Sequence, residues 1–226
     1  FRSGCNTMNL SVIIVAAGRS ERMGFDKLLA KLGGKCVLQW SIEAFTGHSK
    51  VSEVIVVCPQ ERFDALGPIG NMDMLTRVDG GNDRHDSVAA GLGALTRTDQ
   101  YVAVHDAARP LISTEQIDRV LQAAIEHGAA ASARPVTETV KRADTDAFVT
   151  ESLCRDDLWL METPQIFKTG LLTRAYEMVQ KSGQRVTDEV SAMQLIDCKT
   201  ILVANKGPNL KITYPEDIEL AEKLLS

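Results

Sequence analysis

Three cations follow one short apolar run. Arg19, Arg22 and Lys27 come after the β-branched residues of 12–15 and the small residues Ala16, Ala17 and Gly18. A wholly apolar, β-branched run reads as a strand buried on both faces of a parallel sheet. The small residues let another group approach the backbone. A buried strand opening into a small basic loop is how α/β proteins hold phosphate at a strand's carboxyl end. The chemistry to expect here is therefore the binding of an anion. A strand that simply ends in an exposed basic turn is the plainer alternative.

Two familiar phosphate loops do not fit. The dinucleotide fingerprint needs three glycines, and this stretch has only Gly18 and Gly24. A P-loop has four residues between its glycines and then Lys-Ser/Thr. Here five intervene, and Phe25 and Asp26 follow. What remains is A-A-G-x-x-x-R-M-G-x-x-K, which resembles the signature loop of sugar-nucleotide and alditol-phosphate nucleotidyltransferases.

Composition narrows the partners. The 226 residues suffice for one sizeable domain, and 44% hydrophobic with 24% charged residues is a globular composition. The net charge of −5 argues against a nucleic-acid binder but leaves room for a small anion held by a local cation cluster. The five cysteines are odd in number and widely spaced, with no C-x-x-C, so neither a disulfide framework nor a structural zinc site is expected. Reduced thiols and a cytoplasmic location are the expectation. No apolar run approaches the roughly 20 residues of a membrane span. Residues 1–7 read as a non-native remnant, with Met8 the natural start and 8–226 one domain.

The elements that must position the loop alternate in α/β fashion. Strands are expected at 12–15, 53–58, 75–78, 101–105, 129–136 and 200–203. Helices are expected at 37–46, 60–66, 87–95, 114–127 (with Thr114 as N-cap), from the end of the run Thr163-Pro164-Gln165-Ile166-Phe167 to about 181, from the cap Thr187-Asp188 through 196, and at 215–225. Residues 137–162 differ. They are polar, lack a helical stripe, and read as a β-rich arm whose apolar residues need a surface to pack on, such as a second subunit. The whole is an α/β, three-layer Rossmann-like domain with a predominantly parallel sheet and a protruding β-arm.

Seven runs now stand in order: the loop 16–27, GGNDRHDSVAAGL at 80–92, HDAARP at 105–110, PVTETVKR at 135–142, TPQIF at 163–167, TDEVSA at 187–192 and KITYPED at 211–217. Together they resemble the methylerythritol phosphate cytidylyltransferases of the non-mevalonate isoprenoid pathway. The resemblance implies a homodimer, CTP and a short polyol phosphate as substrates, and a divalent metal, usually Mg²⁺. It implies in-line attack of the acceptor phosphate on the α-phosphate of CTP, with release of pyrophosphate. Such a reaction joins two anions, so positioning and charge stabilisation should dominate over nucleophilic side chains.

The resemblance also assigns residues. Arg22, Lys27 and Lys211 would be the catalytic cations, with Arg19 a weaker alternative to Arg22. Ala16, Ala17 and Gly18 would lend backbone N–H groups to the phosphates. Gly81, Asn82 and Ser87 would read the cytosine. Asp106 would lie near the ribose, and near the metal unless CTP alone holds it. Arg109, Thr139, Arg155, Thr163, Thr187 and Asp188 would bind the acceptor, with Thr139 and Arg155 reaching across the dimer. One departure stands out. The family often has Pro-Lys-Gln at the loop lysine, whereas this chain has Asp26-Lys27-Leu28, and Asp26 sits where it can offset Lys27. Purely structural readings remain open for several positions. A local ion pair fits Asp83 with Arg84 and Asp106 with Arg109. A helix cap fits Thr187 and Asp188, and an arm that only dimerises fits Thr139 and Arg155. No role falls to His48, His85, His105 or His127. Two rival functions also remain: a ribitol phosphate cytidylyltransferase, and a non-catalytic nucleotide-binding module on the same fold.

Overall fold

The computed structural model describes residues 9–18, 23–97 and 99–225. The expectations for residues 1–7, Met8, Arg19 and Arg22 lie outside these. The chain begins with strand Leu10–Val15 (β1), a minimal hairpin of Lys31–Leu32 (β2) and Lys35–Cys36 (β3), helix Val37–Thr46 (α1), strand Val51–Val57 (β4) and helix Gln60–Asp64 (α2). Strand Leu75–Val78 (β5), helix Arg84–Gly93 (α3), strand Tyr101–Asp106 (β6), helix Thr114–His127 (α4) and strand Ala129–Pro135 (β7) follow. The last third holds strands Val140–Ala143 (β8), Val149–Leu153 (β9) and Trp159–Lys168 (β10), helices Thr169–Ser182 (α5) and Glu189–Gln194 (α6), strand Ile201–Ala204 (β11) and helix Glu216–Leu225 (α7).

Among the described residues the main sheet has seven strands in the order β11-β7-β10-β6-β1-β4-β5. β10 runs antiparallel to both of its neighbours, and the other pairings are parallel. The period-2 alternation of strand side chains builds two cores. Val12, Ile14, Val54, Val56 and Ala103 face one side, against Leu38, Ile42 and Phe45 of α1 and Ile117, Val120 and Leu121 of α4. Ile13, Ile55, Val57, Val102 and Val104 face the other, against Val88 of α3, Leu172, Ala175 and Val179 of α5 and Met193 of α6. Three layers result, as the unbroken apolar runs of β1 and β4 require.

Helix α4 is capped by Ser113, whose hydroxyl accepts the Gln116 N–H at 3.2 Å, and it ends at left-handed Gly128. The N-cap is thus one residue earlier than Thr114. The run 163–167 is not the approach to a helix but the middle of β10, and α5 begins only at Thr169. Residues 162–167 are all buried. Their polar members Glu162, Thr163 and Gln165 hide the strand from a hydrophobicity pattern. The arm is correspondingly shorter than 137–162. Residues Trp159 to Met161 pair with β7, leaving β8 and β9 as a hairpin of its own. Among the described residues, no helix is long and apolar enough to cross a membrane.

Helix α3 lies close to the sheet because Gly91 has no side chain. A Cβ there would stand 2.5 Å from Cγ2 of Ile13. Gly91→Ala is expected to destabilise the fold by about 1–3 kcal/mol through overpacking, read as a lower urea midpoint. An unchanged midpoint would show that α3 can move off the sheet at little cost.

Candidate active site

The sheet changes direction of winding at β1. β4 and β5 extend it to one side, and β6 pairs on the other. Crevices in open α/β sheets form at such a switch point, beyond the strands' carboxyl ends. A cleft of about 840 Å³ lies there, with the loops after β1 and β6 in its walls. It brings together Ala16, Ala17, Gly18, Lys27, Gly81, Asn82, Ser87, Asp106 and Lys211, nine of the anticipated residues from four of the seven runs, and adds Asp83 and Arg84. Arg109, Thr139, Arg155, Thr163, Thr187 and Asp188 are not in its lining. A second, more open cleft adjoins it and shares Ala17, Gly81 and Asn82.

The two small-residue loops touch. A Cβ on Gly80 would lie 2.4 Å from that of Ala17, so only glycine permits this approach. Ser87 fixes the second loop, accepting the Gly81 N–H at 3.2 Å and donating to the Asp83 carbonyl at 3.3 Å. Helix α3 starts here and presents its partly positive end to the cleft. In the first loop the expectation for Ala16 needs correction. Its N–H donates to the Val57 carbonyl at 2.9 Å, extending the sheet, and its carbonyl takes Arg62. Ala17 and Gly18 are left to supply N–H groups. The Asp26 carboxylate is engaged by Arg62, at 2.7 Å from Nε, and also accepts the Leu28 N–H. Lys27 donates to the Ile212 carbonyl at 2.7 Å.

Asp106 is the electrostatic centre of the cleft. Lys211 Nζ lies 2.7 Å from Oδ2, Arg84 lies 3.3 Å from Oδ1, and Arg109 Nε lies 3.7 Å from Oδ2. Burial alone would raise its pKa, but Arg84, Lys211 and Arg109 together hold the carboxyl well below the usual range. Arg84 is anchored from behind. It grips the fully buried Glu189 with two bonds, 2.6 and 3.0 Å, and the Tyr176 hydroxyl donates to the same carboxylate at 3.0 Å. Burial and the Glu189 charge push the Tyr176 pKa up, so the phenol stays a donor. Arg84 therefore pairs across the fold, not with its neighbour Asp83. Asp83 instead meets Arg185 and, through its N–H, Asp86.

Arg109 stands outside the cleft lining. It is buried and donates to the carbonyls of Asn209 at 2.7 Å and Met161 at 3.3 Å. Thr163 is buried beside Asp106. It accepts the Asp106 N–H at 3.0 Å and bonds His105 Nδ1 at 3.1 Å, while His105 Nε2 meets the Arg109 carbonyl at 3.1 Å. An Nε2–H tautomer satisfies the whole chain. Asp188 is the N-cap of α6, accepting the Ser191 N–H at 3.0 Å, and exposed Thr187 lies 3.4 Å from the Ser191 hydroxyl. Thr139 is exposed, and Arg155 donates to the Thr137 carbonyl at the root of the arm.

Reading the sequence missed His105, Arg62, Glu162 and Asn209, and did not see what Arg84 and Glu189 do. Arg84 and Glu189 lie inside the runs 80–92 and 187–192, which was the available signal. Nothing in the sequence marks Arg62. Asn209 donates to Glu162 and to the Thr163 carbonyl, both at 2.9 Å, and so fixes the loop that delivers Lys211.

This arrangement matches a known one. The family model of 2-C-methyl-D-erythritol 4-phosphate cytidylyltransferase matches residues 10–226. The chain belongs to this family. Its members are cytidylyltransferases, so the chain is a nucleotidyltransferase. The cytidylyltransferase of Pseudoalteromonas atlantica is 38% identical over 218 residues, covering 94% of this chain and 93% of that protein. The chloroplastic enzyme of rice is 36% identical, covering 96% and 75% respectively. The crystal structure of the Francisella tularensis cytidylyltransferase superposes with a TM-score of 0.84 at 30% identity, over 96% of this chain and 99% of that one. The Thermus thermophilus structure gives 0.80 at 33%, over 96% and 98%.

The buried histidine makes a pH prediction. Burial pushes His105 down to about 4, from 6.5. The unfolded chain then binds a proton, between those values, that the folded chain refuses. Stability is therefore complete above pH 6.5 and falls as pH drops toward 4, by about 3 kcal/mol for this group. Buried His48 is shifted the same way. The His105 share is isolated by comparing urea unfolding of the wild type and His105→Gln at pH 7 and pH 4. The variant should show a shallower pH dependence by about that amount, and equal slopes would refute the assignment.

Proposed function

We propose that the chain joins CTP and 2-C-methyl-D-erythritol 4-phosphate, giving 4-diphosphocytidyl-2-C-methyl-D-erythritol and pyrophosphate. The observation that carries this reading is the convergence of Lys27, Lys211 and the start of α3 on one cleft at the β1/β6 switch point. The acceptor phosphate oxygen attacks the α-phosphorus, and the bond to the bridging oxygen of the β-phosphate breaks. Charge accumulates on the α-phosphoryl oxygens. Lys27 and Lys211 are the described cations suited to meet it, and Arg22 is assigned to the triphosphate by resemblance. A cation about 4 Å from a phosphate oxygen is worth about 4 kcal/mol at an effective dielectric near 20. Ala17 and Gly18 offer backbone N–H groups, and Gly81, Asn82 and Ser87 line the part of the cleft assigned to cytosine. The Lys211–Asp106 pair suggests a further role. Asp106 holds the lysine in place until a substrate phosphate competes for it.

Asp106 is a poor fit for a metal ligand. Oxygen donors are what Mg²⁺ takes, but both Asp106 oxygens already face cations. We therefore place the divalent cation on the CTP phosphates, where it would neutralise charge between two anionic substrates.

The arm supports a homodimer. Phe148, Val149, Trp159 and Leu160 are exposed at or beside the hairpin, and an isolated hairpin is marginal without a surface to pack on. Thr139 and Arg155 lie outside the lining of their own subunit's cleft. A partner's cleft is the place where Arg155 would meet the acceptor phosphate, for which its planar fork is suited.

Pyrophosphate release is to be measured with CTP and Mg²⁺, offering methylerythritol phosphate and ribitol phosphate in parallel. Release with the former alone is expected. Release with ribitol phosphate alone would change the acceptor, and release with neither would leave a binding module. Lys27→Ala should lower kcat/KM by about 10³, the equivalent of one lost cation. Arg155→Ala should raise KM for the acceptor and leave that for CTP. Mixing the Lys27→Ala and Arg155→Ala proteins should restore part of the activity, because one hybrid site is intact. No recovery after verified subunit exchange would sink the cross-subunit role.

A further inference from the structure

We propose that Arg62 is a positioning residue for nucleotide binding: with Asp26 it forms an internal staple that shapes the loop after β1. Arg62 stands on α2, after β4, and is 8% exposed. Among the described residues its guanidinium makes three bonds, all to this one loop. Nη1 donates to the Ala16 carbonyl, Nη2 to the Gly18 carbonyl at 3.2 Å and Nε to Asp26 Oδ2 at 2.7 Å. The first two bonds are to residues 16 and 18 and the third is to residue 26, so one side chain ties together the two ends of this stretch. The other oxygen of Asp26 accepts the Leu28 N–H at 3.0 Å, which carries the constraint to the residue after Lys27.

The consequence follows from peptide geometry. In a planar trans peptide the C=O and the next N–H point in opposite directions. A guanidinium that collects the Ala16 carbonyl therefore turns the Ala17 N–H away from itself, and frees it for a ligand. A loop left to itself would sample many orientations of these groups. Ordering it on binding would cost affinity. Only a planar, multiply donating cation spans three oxygens at once, and a lysine ammonium does not have that shape. Asp26 thus acquires a purpose that its position beside Lys27 conceals.

This inference rests on the cleft being the CTP site, and the test separates the two. CTP dissociation constants are measured by calorimetry for the wild type, Arg62→Met, Arg62→Lys, Asp26→Asn and the Arg62→Met/Asp26→Asn double variant. Exchange of the Leu28 amide is measured by NMR in nucleotide-free protein, with the thermal midpoint as a check on folding. Arg62→Met should weaken CTP at least tenfold and Arg62→Lys by less. Asp26→Asn should weaken it several-fold, and the double variant should be no worse than Arg62→Met. The Leu28 amide should exchange faster in Arg62→Met and in Asp26→Asn, with or without any CTP binding. The staple is overturned by CTP affinity within twofold of wild type in folded Arg62→Met, by an unaltered Leu28 amide, or by additive losses in the double variant. A loss confined to the Arg62 variants, with Asp26→Asn silent, also overturns it. That pattern would mean Arg62 touches the nucleotide directly from the adjoining cleft that it lines. A wild-type chain that binds no CTP removes the proposed function, whereas the amide measurement still decides whether the staple exists.

Discussion

Asp106 carries a negative charge at 9% exposure, and the structure tolerates this only because three cations converge on it. An unpaired carboxylate at that depth would be strongly disfavoured. The cations come from distant parts of the chain: Arg84 from the start of α3, Arg109 from the turn after β6, and Lys211 from the loop before α7. One carboxylate therefore draws three loops to one end of the sheet. The same charge holds Lys211 at the wall of the cleft. Stability and readiness for an anionic ligand are supplied by one set of contacts.

That centre is kept in register by neutral hydrogen bonds beneath it. His105 precedes Asp106 on β6 and is completely buried, so it is held neutral and must have both ring nitrogens satisfied. Thr163 from β10 and the Arg109 carbonyl do this. Thr163 in turn takes the Asp106 N–H. Glu162, the next residue back along β10, collects Ser132, Asn205 and Asn209. The antiparallel strand β10 is thus the polar spine of the domain. It stands between β6 and β7 and ties the cleft edge of the sheet to the loop that carries Lys211. Its polarity is a requirement of this role, since an apolar strand could not satisfy so many groups.

The arm follows a different logic. β8 and β9 hold each other by a short ladder and by surface pairs such as Arg142–Glu151 at 2.8 Å. Exposed pairs of this kind contribute little stability. Phe148 and Val149 are 71% and 64% exposed and bury little of their apolar surface within the chain. A segment so poorly supported from within is understandable if its stability comes from a second copy.

Much of this was legible in the amino-acid sequence. Strongly periodic segments such as α1 and α4 appear where their spacing places them, because a continuous apolar stripe leaves a helix one way to bury itself. The strands β1, β4, β5 and β6 could be read for the same reason, and so could the position of Ala17, Gly18, Lys27 and Gly81 in loops that line one cleft. Those are local properties, dictated by residue types within a few positions. Strand β10 was not legible, because Glu162, Thr163 and Gln165 are polar residues whose burial depends on partners 23 to 57 positions away. The same holds for Arg62 with Asp26, Arg84 with Glu189, and Arg109 with Asn209. A charged side chain looks alike on paper whether it faces water or a buried partner. Only the folded chain, by setting the desolvation cost and supplying the opposite charge, decides which.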